Sequence, residues 1–403
     1  MPTVGLKFRA YAGEEMARAL RARLDAACAL YNALRSADAE AYRERGKGLT
    51  QYELRTLALR LRREHDEFRA LFSQVAQQVA DRFYEAKERF FEGLARFPRA
   101  KKPHRYYSLV YPQHGWKVLD VRPIRSGKKR MMRIRFSNLG EFDVLVHRDF
   151  PLDEVARVIV KMNRAGEIYV IFYVEGFNPY TPLPSTGKVG GIDVGIEKLI
   201  ATSDGQYAPN PRIYERALVR LRRLQRELSR KQRGSRRRLK VKRRLARAHE
   251  RVANIRRDLY LKLGKILAEL YDLVVMEDID VKELIGKSYR SQRRRLHDVS
   301  FHELRAMIEY QMRKYGKEFA AVDPKDTSRT CARCGYVRED LTLGDRVYVC
   351  PACGWTADRD YNAALNILAR TGRGPPVVPV ELRPLPLPTE WQGGAMSREA
   401  PRL

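Results

Sequence analysis

Residues 190–205, "GGIDVGIEKLIATSDG", decide how the rest of the chain is read. An acid, Asp193, stands inside an apolar, strand-like run with glycines on both sides, and a second short strand, "LIATSD", follows almost at once. Removing a carboxylate from water is costly unless a cation sits beside it. The pattern predicts a strand, followed by a hairpin, whose central acid has a positive partner.

The surrounding chain is strongly basic. Lys and Arg total 79 against 49 Asp and Glu in 403 residues, a net charge of +30. That excess predicts a polyanionic partner, nucleic acid ahead of an anionic membrane. The hydrophobic fraction of 44% and the length allow two or three domains with ordinary cores. No run of about 18 apolar residues offers a membrane span, and "MPTVGLKFRA" lacks the apolar centre of a secretion signal. A soluble, cytoplasmic protein is expected.

Periodicity divides the chain. Residues 2–10 look like a strand, and 14–98 carry helical spacing, with Phe72, Val75, Val79 and Phe83 on one face and Gln74, Gln78 and Arg82 largely off it. Period two takes over at 107–176, in segments such as "RMMRIRFS" and "EIYVIFYVEG", which predicts a β-rich module closed as a small barrel. "NPYTPLPSTGK" (178–188) has the prolines and small polar residues of a linker. From 212 to about 270, one stripe of Leu221, Leu224 and Leu228 and another of Val241, Leu245, Ala248, Val252, Ile255 and Leu259 flank "RGS", predicting a helical hairpin with arginine-covered outer faces. "YDLVVMEDID" and "EFAAVDP" read as strands, 301–316 and "DRDYNAALNILAR" as helices. After 371 the Pro-rich stretch reads as a disordered tail.

Two constellations carry chemistry. "CARCG" and "CPACG" place Cys331, Cys334, Cys350 and Cys353 in a C-x2-C-x15-C-x2-C pattern. Each pair turns two thiolates toward one point, and four close a tetrahedral, structural Zn²⁺ site. Cys28, alone on an apolar helical face, reads as core. Among the acids, Asp193 lies on a strand, Glu277 ends the strand "LVVME", and Asp360 opens the last helix. Converging, they would hold two Mg²⁺ ions, with Mn²⁺ able to substitute, for phosphodiester hydrolysis. Asp278, Asp280 and Asp358 lie beside them and read as surface acids. The order of strands and helices is that of an RNase H-like sheet. "GIDVG" also resembles the phosphate hairpin of actin-like ATPases, but the second phosphate loop and the adenosine site of those proteins are not legible here.

"GIDVGIEKLIATSDG", "LVVMEDI", "DPKDTSRTCARCG", "VCPACG" and "DRDYNAALNIL", in this order, resemble the transposon-encoded TnpB family, compact relatives of type V CRISPR effectors. The resemblance is dense from about 188 to 370. It implies an α+β multidomain protein. A β-rich wedge module would take 1–12 and 105–180, and a helical recognition domain 13–104. A linker at 181–188 would precede a RuvC-like nuclease at 189–325 and 355–370, which carries a basic hairpin at 212–265. A zinc ribbon at 326–354 would bind target nucleic acid, and 371–403 would be the tail. It also implies a guide RNA, one protein per RNA, and double-stranded target DNA cut beside a short adjacent motif, with association to the nucleoid when bound. Asp193, Glu277 and Asp360 align with the family's nuclease acids, Asp360 because it stands two residues before Asn362-Ala363-Ala364. A basic residue of the zinc module assists in the family: Arg346 is the candidate here and Arg329 the alternative. The adjacent motif would be read by Tyr52, Gln74 and Gln78, since glutamine can bond an adenine edge twice. One acid triad implies that one site cuts both strands in turn. A catalytically idle RNA-guided binder and an unguided nuclease of branched DNA are the competing readings.

Overall fold

Period-two alternation in the first half of the chain becomes one antiparallel sheet. The structure is a computed structural model that describes residues 3–124, 129–281, 284, 286, 290–342, 344–374, 377–378 and 380–387. It comprises two units, Met1–Pro179 and Tyr180–Leu403. In the first, β1 (Thr3–Tyr11) leads to α1 (Glu14–Arg45), α2 (Gln51–Glu64), α3 (Asp66–Arg69) and α4 (Ser73–Phe91). Strands β2 (Ser108–Pro112), β3 (Trp116–Pro123), β4 (Arg130–Phe136), β5 (Gly140–Val146), β6 (Val155–Met162) and β7 (Ile168–Glu175) follow. The sheet order is β2-β6-β7-β1-β5-β4-β3, so β1 sits at its centre, paired with β7 from Thr3↔Glu175 to Ala10↔Ile168.

Where a barrel was expected, no ladder joins β2 to β3 among the described residues. The sheet coils instead. The Tyr111 ring on β2 lies 5.0 Å from Phe136 on β4, and Trp116 on β3 lies 6.2 Å from Phe172 on β7. Large aromatic rings thus fill the interior that backbone closure would otherwise narrow. The helices bury the spacing read from sequence: Leu20, Leu24, Ala27, Tyr31 and Leu34 on α1, and Val75, Val79 and Phe83 on α4. Cys28 is buried in the same core.

The second unit is built on a sheet of order β12-β11-β8-β9-β10-β15. Strands β8 (Val189–Val194), β9 (Lys198–Thr202) and β10 (Gln206–Pro209) form an antiparallel meander, and β11 (Leu273–Glu277) and β12 (Glu318–Val322) run parallel to β8 on its other side. Parallel neighbours require crossovers, supplied by helices. These are α5 (Ile213–Ser229), α6 (Arg236–Leu270), α7 (Arg290–Val299) and α8 (Phe301–Lys314). The hairpin β13 (Val347–Val349) and β14 (Thr356–Asp358) precedes α9 (Arg359–Ala369), and β15 (Arg383–Pro384) closes the sheet edge. In the basic hairpin, Leu221, Leu224, Val241, Val252 and Leu259 are buried, while Leu228, Leu245, Ala248 and Ile255 are half-buried. No helix among the described residues is long and apolar enough to cross a membrane.

Residues 181–188, read as a linker, follow the boundary between the two units and are tied down: Ser185 Oγ and the Thr186 and Gly187 amides all donate to Asp272, and Lys317 Nζ donates to Asp272 and to Pro184 O. One carboxylate at the start of a strand supplies acceptors that loop composition does not reveal. The tail is likewise not wholly free. Arg383–Pro384 pairs in parallel with β10, and Leu385 and Leu387 are buried in the second unit's core. Proline is tolerated at a sheet edge, so a Pro-rich composition did not exclude a strand there. Residues 388–403 lie outside the described residues.

Two glycines bring helix and sheet together. A Cβ on Gly190 would stand 2.8 Å from the Tyr271 ring, and one on Gly191 only 2.2 Å from the Ala364 carbonyl oxygen on α9. Gly191→Ala forces helix and strand apart and should cost about 1–3 kcal/mol, the usual range for overpacking. Gly374→Ala, which meets nothing within 4 Å, is the control. Denaturant unfolding, with hydrogen exchange of the α9 amides, measures both.

Candidate active site

Asp193, Glu277 and Asp360 reach one place by three routes. Strand β11 pairs in parallel with β8 up to Met276↔Ile192, so Glu277 and Asp193 come next, side by side at the carboxyl ends of adjacent strands. Ligand sites of open α/β sheets form at that edge. Helix α9, seated on Gly191, brings its first turn to the same point. Asp358 caps that turn by accepting the Asp360 and Tyr361 amides at 3.0 and 3.3 Å. One oxygen of Asp358 is therefore used structurally, while Asp360 faces the strand acids. All three acids are buried, each 8–9% exposed, and all three line a cleft of about 780 Å³.

Their electrostatics are those of crowded, desolvated charge. Burial pushes the Asp193 carboxyl well above the ordinary carboxylate range, and the charges of Glu277 and Asp360 push the same way, against Arg359 and the Val194 amide. Burial also raises Glu277, opposed by a hydroxyl bond from Thr327 and the charge of Arg370. Lys198 Nζ bridges Asp358 and Asp360 at 2.6 and 3.2 Å, and an Arg359 nitrogen lies 3.7 Å from Asp360. The carboxylate oxygens are spread more widely than a single ion requires. Among the described residues only the four cysteines have ligand atoms all within 4.8 Å of one another. Asp193 feels the charge of both other acids. A hard, multiply anionic donor set of this kind fits divalent magnesium or manganese.

The basic candidates separate. Arg346 lines the cleft, and its carbonyl oxygen accepts the Arg359 amide at 3.0 Å. Arg329 is exposed on the segment before Cys331 and is not among the residues lining the cleft. Lys198, Arg359 and Thr327 were not singled out from sequence. Lys198 and Arg359 adjoin the acid motifs and could have been noticed there. Thr327 lies in the quoted "DPKDTSRTCARCG", but nothing in that string points it at Glu277.

The cysteines form two matched knuckles. The Gly335 and Gly354 amides donate to Cys331 O and Cys350 O at 2.9 and 3.0 Å, and both glycines take positive φ, +78° and +70°. Cys331 and Cys353 sulfurs lie 3.7 Å apart, and those of Cys334 and Cys350 3.6 Å. Four sulfurs about 2.3 Å from a central zinc would have tetrahedral edges of about 3.8 Å, so the donor set fits Zn²⁺. Buried Trp355, Tyr361 and Leu365 pack the knuckles against α9.

In the first unit, Tyr52 on α2 is 79% exposed. The two glutamines are engaged within the unit. The Gln74 amide, oriented by its neighbours, donates to His114 O and Pro112 O at 3.0 and 3.2 Å. Gln78 donates at 2.8 Å to Asp81, which also holds Gln51 and Arg55. Gln74 and Gln78 are half-buried, and of the three residues expected to read a base edge Tyr52 is the most exposed.

A sequence model described as a probable transposase matches residues 160–288, and one described as the Cas12f1-like TNB domain matches 301–367. The chain is 30% identical over 310 residues to InsQ of Escherichia coli (strain K12), covering 74% of each chain. The chain belongs to the TnpB family. A relative from Streptomyces pristinaespiralis is 40% identical over 225 residues, and the match spans 54% of each chain. Both relatives are described as a "putative RNA-guided DNA endonuclease". In fold, this TnpB-family chain is similar to a solved structure titled as a Cas12f1–sgRNA–target DNA complex, with a TM-score of 0.58 at 16% identity, covering 88% of this chain and 83% of that one.

Elemental analysis of the purified chain should find one zinc per molecule. Cys350→Ser should lower that content and remove hydrogen-exchange protection from 331–358 while leaving the first unit's unfolding unchanged, because a closed thiolate site contributes folding free energy directly.

Proposed function

We propose that this chain is an RNA-guided DNA endonuclease whose hydrolytic centre is the cleft of Asp193, Glu277 and Asp360. The observation that carries the reading is the convergence of three buried carboxylates from β8, β11 and α9 at the carboxyl edge of one sheet. The meander β8–β9–β10 with β11 and β12 added in parallel beside β8 is the strand arrangement of an RNase H-like, RuvC-type nuclease. Mg²⁺ ions held by these acids would act as Lewis acids on the attacking and leaving oxygens of a phosphodiester. Asp193 is the acid on which the charges of both others act. Glu277 and Asp360 flank it, and Arg346 on the cleft wall supplies positive charge for a phosphate that the acids alone would repel.

The rest of the chain suits a nucleic-acid partner on a larger scale. The net charge of +30 and the arginines covering α5 and α6 provide long-range attraction for a guide RNA and its heteroduplex, which proteins hold mainly by backbone. Sequence specificity then comes from base pairing. The first unit, with coiled sheet and helices, takes the wedge and recognition roles, and exposed Tyr52 offers a contact to the adjacent duplex motif. With one such acid cleft identified among the described residues, the two target strands are cut one after the other.

Asp193→Ala should reduce cleavage of a guide-matched duplex by about a thousandfold or more, with guide-RNA and target binding unchanged in a filter or mobility assay. Cleavage equal to wild type would end the site assignment. Sequencing RNA that copurifies with the chain tests the guide: a fixed scaffold with a variable end is the expected result.

A further inference from the structure

Glu277 is the last residue of β11, where the ladder to β8 has already stopped at Met276↔Ile192. The ladder to β12 continues through Glu277↔Val322, so backbone pairing sets the face on which the side chain leaves the strand but does not set where its carboxylate ends. Thr327 does. Its side chain is buried, 1% exposed, and its hydroxyl donates to Glu277 Oε1, with Pro324 O a second acceptor at 3.2 Å. A threonine hydroxyl has a single proton to give, so one of these bonds holds at a time, and the carboxylate is the stronger acceptor.

The loop bearing Thr327 is itself over-determined. Asp326 takes a left-handed φ of +58°, a conformation that aspartate tolerates better than most residues. The Asp326 carbonyl accepts the Arg329 and Thr330 amides at 3.1 and 2.9 Å and the Thr330 hydroxyl at 2.8 Å. Helix α9 then clamps the loop with one polar row. Asn366 Nδ2 donates to Thr327 O and Thr330 O at 2.8 and 2.7 Å, Asn362 Nδ2 donates to Thr330 O at 2.7 Å, and Arg370 spans Asp323 O and Lys325 O. Asn362, fully buried, also accepts the Ala332 amide and the Trp355 indole N–H at 3.0 and 3.2 Å. It therefore ties both cysteine knuckles to the same helix. Asp360 opens that helix, so two of the three acids are placed from it: Asp360 directly, Glu277 through the loop.

We propose that Thr327 is a positioning residue that fixes the Glu277 carboxylate for divalent-cation binding, through a loop clamped by Asn362, Asn366 and Arg370 to the helix bearing Asp360. This rests on the reading of the acid cleft as the metal centre. Outer hydrogen bonds orient ligands, and losing one typically weakens metal binding by about 10–100-fold. The test is calorimetric titration of Mn²⁺ into the full chain. Thr327→Val, which keeps the shape and removes the hydroxyl, should weaken Mn²⁺ binding by about 10–100-fold. Zinc content and thermal unfolding should be unchanged. Thr327→Ser should restore the affinity. With guide and target present, the valine variant should need more metal for half-maximal cleavage and approach the wild-type rate at saturating metal. Wild-type Mn²⁺ affinity in Thr327→Val, alongside its loss in Asp193→Ala, overturns the proposal and leaves the cleft reading standing. Failure of the wild-type chain to bind any Mn²⁺ that Asp193→Ala abolishes overturns the cleft reading itself. Should the valine variant fold poorly, Thr327→Ala removes the hydroxyl without a methyl against Glu277, and unchanged affinity there is equally decisive.

Discussion

Helix α9 lies against strand β8 at a distance that no side chain permits. The Gly191 position tolerates only hydrogen because the Ala364 carbonyl occupies the space a Cβ would need. Much of the second unit's chemistry follows from that contact. It sets Asp360 over the end of β8 and gives the cysteine knuckles a helix to pack on through Tyr361 and Leu365. It also points Asn362, Asn366 and Arg370 at the loop that reaches back to Glu277. Close packing transmits position because interiors do not deform smoothly. The helix, the loop and the knuckles therefore behave as one placed object.

Around this frame the charges are arranged in opposite senses at two scales. The chain as a whole carries +30, a field that draws a polyanion from a distance and weakens with salt. The cleft is locally anionic, with three buried acids opposed by Lys198, Arg359 and Arg370. A phosphodiester attracted by the exterior would be repelled at the acids unless cations stood between. The same field that disfavours substrate alone favours divalent metal, so the two requirements reinforce each other.

Much of this was legible in the residues. The cysteine spacing brought four sulfurs together because each C-x2-C turn is local and its glycine supplies the positive φ. The helical stripes at 213–270 and on α1 and α4 were readable because burial of one face imposes its period. The readings that changed share a cause: composition reports tendency, not partners. Pro-rich 383–387 was judged by its own residues, yet the open edge of β10 and the second unit's core hold it. Gln78 lies off the apolar face, as its helical phase indicates, and is half-buried with its amide donating to buried Asp81 on the same helix. In the β module no ladder joins β2 to β3 among the described residues, and aromatic rings, which alternation does not measure, meet across its interior.

By itself the sequence determined most of the elements, the grouping of the cysteines and three acids that the fold brings to line one cleft. These follow from local conformational preference, short-range spacing and the cost of burying charge. Only the tertiary structure decided that Thr327 meets Glu277, that Lys198 bridges Asp358 and Asp360, and that Arg346 rather than Arg329 lines the cleft. Each of these depends on segments distant in the chain being packed to within a hydrogen bond of one another. That proximity is a property of the folded core, and no local pattern of residues encodes it.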